Sequence, residues 1–138
     1  MLSSRLQIPM FLVLLVVAIA VINGFADTYY WYWTMRWFDM PMHFAGGVWL
    51  ASFGVWWQYS RRDVVARDFT SLLVICFVFA FGVGLLWELY EAGVSFLTVG
   101  HINAMPDTLS DLLFDTIGGT MVAVLVWTRA KLRTTQIS

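Results

Sequence analysis

Apolar residues run almost unbroken through four stretches of this chain, and the polar residues gather between them and at their ends. The runs predict helices over about 8–25, 40–59, 69–90 and 108–128. Each is close to the roughly 20 residues needed to cross a hydrocarbon core. None alternates as barrel strands do, and only helices and closed barrels satisfy their backbone groups in lipid. The expected fold is therefore all-α: a polytopic membrane protein, a bundle of four transmembrane helices in a single domain over 1–138. The first run also has the shape of a secretory signal, with Arg5 before it and Ala18-Ile19-Ala20 as a cleavage-like site. The run is expected to be retained as the first helix.

The polar positions orient the bundle. Seven of the eight basic residues, Arg5, Arg61, Arg62, Arg67, Arg129, Lys131 and Arg133, lie before the first run, between the second and third, or after the fourth. Only Arg36 lies in the first connection, and the third has no Lys or Arg. The positive-inside rule then puts both termini in the cytoplasm and turns the first and third connections outward. The stretch 27–38 holds Tyr29, Tyr30, Trp31, Tyr32, Trp33 and Trp37 and is expected to lie in the outer interface, where aromatic belts form. The stretch 93–106 reads as a short re-entrant or surface loop.

Composition agrees. Of 138 residues 60% are hydrophobic and 12% charged, about half the charge of a soluble domain. The net charge of -1, with its bases dispersed, gives no reason to expect nucleic acid. Cys76 is the single cysteine, so no intramolecular disulfide can form. The expected partners are the lipid bilayer, a lipid-like substrate, and a second copy or a larger membrane complex.

Six of the nine carboxylates sit at the outward ends of three of the runs: Asp39; Glu88 and Glu91; Asp107, Asp111 and Asp115. Acids at membrane depth are costly and point to a site. Asp39 and His43 are four apart and share a helix face, as do Glu88 and Glu91, and the three aspartates form one stripe. Ordinary roles account for part of this set. Asp39 before Met40-Pro41 suits a helix N-cap, and Asp107 and Asp111 suit the first turn of the fourth helix, where the dipole favours anions. Glu88 and Glu91, read as lying at a helix C-terminus, have no such explanation, and Asp115 is too deep to cap. The expected metal ligands are Asp39, His43, Glu88, Glu91, Asp111 and Asp115, with Arg36, His101 and Asp107 as second-layer candidates. Carboxylates with imidazole suit a divalent ion such as Mn, Fe or Zn, and Met35, Met40, Met42 and Met105 near the same end bring Cu into consideration. The Glu-x-x-His pattern of di-iron bundles is absent. Gly46, Gly47, Gly54, Gly82, Gly84, Gly118 and Gly119 fall in or beside helices, where small residues allow close approach.

The motifs Asp-x-x-x-His-Phe-x-x-Gly at Asp39 to Gly47, Trp-Glu-x-x-Glu at Trp87 to Glu91, and Asp-x-x-x-Asp-x-x-x-Asp-x-x-Gly-Gly at Asp107 to Gly119 together resemble the YjdF-like bacterial inner-membrane proteins and, more distantly, VanZ-like proteins. The likeness covers the three C-terminal helices. It implies a bacterial inner-membrane location and, through the VanZ-like side, a place in envelope biology; it names no reaction.

The function expected from the sequence is an outward-facing carboxylate/histidine metal site that acts on a lipid or envelope precursor, whether or not it is catalytic. Such a site would use one acid as general base and Arg36 to hold a phosphate. Two alternatives belong to other classes. One is a proton- or cation-coupled transport component, for which the inner halves of the runs offer few polar residues beyond Ser52, Gln58, Ser71, Cys76 and Thr120. The other is a small accessory subunit with an outer metal or pigment site, His43 lying beside Ala45, Gly46 and Gly47.

Overall fold

The computed structural model describes residues 8–62, 68–99 and 105–135. All regular structure among them is helical: α1 Met10–Thr28, α2 Trp31–Thr34, α3 Asp39–Arg62, α4 Phe69–Val99 and α5 Met105–Thr135. α1, α4 and α5 are long and apolar enough to cross a membrane. α3 has 24 residues, about 36 Å at 1.5 Å each, so it is long enough, but it carries more polar side chains.

Two elements depart from the sequence expectation. α4 continues through 93–99, part of the stretch read as a loop, because its sequence after Glu91 remains largely apolar and has no proline to stop it. Residues 100–104 lie outside the described set. α5 starts at Met105, with Pro106 in its first turn, where the missing N–H costs nothing. The stretch 27–38 contains one helical turn, α2, entered through Tyr30 at φ 57, the left-handed region that turns the chain sharply. Phe38 closes it, meeting Trp31 and Tyr32 edge-on at 5.3 and 5.4 Å between ring centroids.

α3, α4 and α5 form the body of the molecule. α3 and α5 run parallel, since His43 meets Asp111 and Asp115 while Ala51, two turns on, shares a core with Val122 and Ala123; α4 runs antiparallel to both, with Glu88 near His43 and Leu72 and Cys76 in that core. Towards the end of α3 that leads to Arg62, Ala51, Leu72, Cys76, Val122 and Ala123 form a closed apolar core, flanked by Val48, Val55, Tyr59, Phe69, Leu73, Val126 and Trp127. Above it, glycines bring the backbones together. A Cβ on Gly47 would lie 2.2 Å from the Asp115 carbonyl oxygen, and one on Gly118 would lie 2.4 Å from that of Phe44. Of the three long helices α1 packs chiefly on α3, and the Trp49 indole N–H donates to the Leu12 carbonyl at 2.8 Å. Most of the α1 surface is exposed and apolar, as suits a helix facing lipid.

At the start of α4, Asp68 acts as a cap. Its carboxylate accepts from the Ser71 N–H at 2.6 Å and from the Ser71 hydroxyl at 3.2 Å. These bonds hold the Asp68 carboxyl below the usual carboxylate range.

Candidate functional site

The site is built at the end of the bundle where α3 and α5 begin. Asp39 is the first residue of α3, and His43 follows one turn later on the same face. His43 Nε2 lies 3.6 Å from Asp39 Oδ1. α5 presents Asp111 and Asp115 by the same four-residue spacing, and α4 presents Glu88 from the other direction. His43 Nε2 is 3.9 Å from Glu88 Oε1 and 4.0 Å from Asp111 Oδ2. On the other side of the ring, His43 Nδ1 is within hydrogen-bond reach of Asp115 Oδ2, at 3.3 Å. Four carboxylates from three helices thus surround one imidazole.

Three of those acids are buried: Glu88 and Asp111 are each 4% exposed and Asp115 is 3% exposed. Among the described residues, no Lys or Arg forms an ion pair with any of the four. Glu88 Oε1 is fully buried and has no hydrogen-bond partner among the described residues. A buried, unpartnered carboxylate oxygen costs free energy unless a proton or a cation meets it. Ligand atoms of Asp39, His43 and Asp111 all lie within 4.8 Å of one another, close enough for one ion to touch all three.

The structure does not gather the remaining candidates as closely. Glu91 is half-buried and accepts from the Trp87 indole N–H at 3.0 Å. Asp107 is exposed in the first turn of α5. Arg36 is exposed in the connection before α3. His101 lies outside the described residues. Two details of the sequence reading change. Because α4 continues to Val99, Glu88 and Glu91 lie well inside a helix rather than at its end, so the helix dipole does not bear on them. Because α5 starts at Met105, Asp111 is past the first turn, and only Asp107 remains there.

Sequence reasoning missed two contributors. Gly84 lies one turn before Glu88 on the same face of α4, and a Cβ there would lie 2.3 Å from Asp115 Oδ2. The four-residue spacing from Glu88 was the signal that could have marked it. The second is Tyr32, whose hydroxyl donates to Asn23 Oδ1 on α1, while the Asn23 amide reaches Asp27 at 3.5 Å. Burial, with the Asp39, Asp27 and Glu91 carboxylates nearby, pushes the Tyr32 phenol up from 10 to about 12. No spacing in the sequence distinguishes Tyr32 from its aromatic neighbours.

No curated protein and no solved structure matches this chain. Its long apolar helices, and the acidic cluster they enclose, run through most of the region matched by one family model. That model, described as predicted membrane protein (DUF2238), matches residues 1–132, and the chain belongs to that family.

Proposed function

We propose that this protein is a four-span membrane protein that binds a divalent metal ion at the outer end of its α3–α4–α5 bundle. The observation that carries the reading is Glu88: a buried carboxylate oxygen with no hydrogen-bond partner among the described residues, 3.9 Å from the imidazole of His43 in a group of four acids. Four carboxylates and one histidine cannot all be accommodated at such range without shared protons or a cation. Asp39, His43, Glu88 and Asp111 are the inner ligands, and Glu91 and Asp107 lie around them. Oxygen donors with one imidazole suit Mn, Fe or Zn. Cu(I) is a poorer match, since the thioethers it favours are not buried with the acids: Met105 is 80% exposed and Met40 36% exposed.

α3 is the fourth span, and the whole chain is one transmembrane domain with both termini in the cytoplasm. Starting from Phe69, about 20 residues of helix, some 30 Å, reach Glu88, so the site lies where the hydrocarbon core gives way to headgroups. In a bacterial inner membrane this is the periplasmic or exterior side, in keeping with the YjdF-like and VanZ-like resemblance. An ion at that depth would meet the phosphate or carbonyl groups of a lipid or envelope precursor arriving laterally, and it would polarise them. Binding is favoured over conduction because the bundle below the site is filled by glycine contacts and by the apolar core around Cys76 and Ala123.

The test is metal content of the detergent-purified protein by inductively coupled plasma mass spectrometry, beside Glu88→Gln, which keeps size and removes charge. The expected result is a near-stoichiometric metal in the wild type and its loss in the variant. A wild type that stays metal-free after exposure to Mn, Fe and Zn refutes the proposal.

A further inference from the structure

We infer that Asp115 is not a metal ligand but a positioning residue: seated in a glycine slot, it accepts the Nδ1 proton of His43 and so turns Nε2 toward the ion. This inference rests on the metal-site reading and assigns the site a division of labour. The two nitrogens of an imidazole point away from each other across the ring. In this protein they face different acids. Nδ1 faces Asp115 Oδ2 at 3.3 Å, whereas Nε2 faces Asp39, Glu88 and Asp111 at 3.6, 3.9 and 4.0 Å. One ion cannot sit on both sides. The side with three carboxylates is the side for the cation. With the proton on Nδ1, His43 donates to Asp115 Oδ2, and in that tautomer the Nε2 lone pair faces the other three acids. Metal-bound histidines commonly carry such a carboxylate behind them, which fixes the tautomer and strengthens the donor nitrogen.

The slot explains why Asp115 holds this position. Asp115 is 3% exposed, between α3 and α4. A Cβ on Gly84 would lie 2.3 Å from its Oδ2 and 3.1 Å from its Cγ, and one on Gly46 would lie 3.7 Å from its Oδ1. Gly47 admits the Asp115 backbone itself. Any side chain at Gly84 therefore moves the carboxylate off His43 without removing it. Gly84→Ala thus tests the placement of the acid, while Asp115→Asn tests its charge.

The experiment uses the full chain in detergent, labelled with 15N-histidine and titrated with Zn(II). The His43 resonances are identified by their loss in His43→Gln. Zinc affinity is measured by competition with a chelating dye. The expected wild-type spectrum shows zinc on Nε2 and a proton retained on Nδ1. Asp115→Asn and Gly84→Ala each weaken zinc about 10- to 100-fold, and Gly84→Ala also loses the hydrogen-bonded Nδ1–H signal, whereas Asp115→Asn shifts it. Gly82→Ala, with nothing within 4 Å of its Cβ, leaves both readouts at wild-type values. Should Asp115→Asn fail to fold, Gly84→Ala carries the test alone. Zinc held through Nδ1, or wild-type affinity and spectrum in either variant, overturns this inference and leaves the metal site standing. A wild type that binds no zinc, and is metal-free with Mn and Fe as well, overturns both.

Discussion

The glycine seam between α3 and α5 makes a prediction whose size follows from distances. In Gly47→Ala the new Cβ would lie 2.2 Å from the Asp115 carbonyl oxygen, 2.7 Å from its Cα and 2.8 Å from its carbonyl carbon. All three are backbone atoms, so no side chain can rotate away. Ordinary contact begins at 3.4 Å, so the two helices must part locally by about 1.2 Å. A gap of ~0.5–1 Å already forfeits a quarter to a half of the dispersion well for every facing atom pair. Overpacking of this kind costs about 1–3 kcal/mol. Gly118→Ala meets the Phe44 carbonyl at 2.4 Å and should behave alike. Gly24→Ala and Gly82→Ala, with nothing within 4 Å, are the controls. They should be neutral or gain up to about 1 kcal/mol from helix propensity. The assay is reversible unfolding in mixed micelles of increasing SDS fraction, followed by circular dichroism. If Gly47→Ala unfolds with the controls, the close packing of α3 on α5 is refuted.

Three other outcomes follow from single groups. Asp68 has its carboxyl held low by the Ser71 N–H and hydroxyl, so its capping contribution is present above the ordinary carboxylate range and lost as pH falls through the lowered value. The melting temperature should therefore fall less between pH 6 and pH 2 in Asp68→Asn than in the wild type, and an equal fall would refute the cap. Tyr32 is raised to about 12, so folding favours its neutral form, and that contribution is present below 10 and lost as pH climbs through 12. Absorbance titration at 295 nm should show a late tyrosine that disappears in Tyr32→Phe; the same late component in the variant would remove Tyr32 from the site's surroundings. Finally, prolonged dialysis of metal-loaded protein against a chelator should lower its thermal stability by the linkage amount, and by nothing in Glu88→Gln.

The helices were legible because lipid leaves a chain few options: long apolar runs without alternation must be helical. Their ends were less so. The stretch 93–99 reads as a loop because Gly93, Ser95 and Thr98 interrupt its apolar residues, whereas with no proline to stop it α4 continues through them. Asp39, His43, Glu88, Asp111 and Asp115 could be grouped because four-residue spacing within α3 and within α5, combined with position near one end of each run, sets both face and height. Glu91 could not be separated from Glu88 in that way. Three residues apart, they share a broad face, and only packing shows that Glu88 turns inward while Glu91 takes the Trp87 indole. Gly84 was hidden for the opposite reason: its role lies in what is missing from its side chain, and that becomes visible only when Asp115 is seen in the space it leaves.

The parallel pairing of α3 with α5 has a consequence for biosynthesis. A membrane chain emerges from its N-terminus, and its helices associate after they enter the bilayer. α5 leaves the ribosome last among the described helices, yet it provides Asp111, Asp115 and one side of the closest helix contact. Until it arrives, His43 and Glu88 lack half of their surroundings, and the glycine face of α3 has no lid. Tight packing and the enclosed acid–histidine cluster therefore come into being in one event, and a chain stalled before α5 can acquire neither.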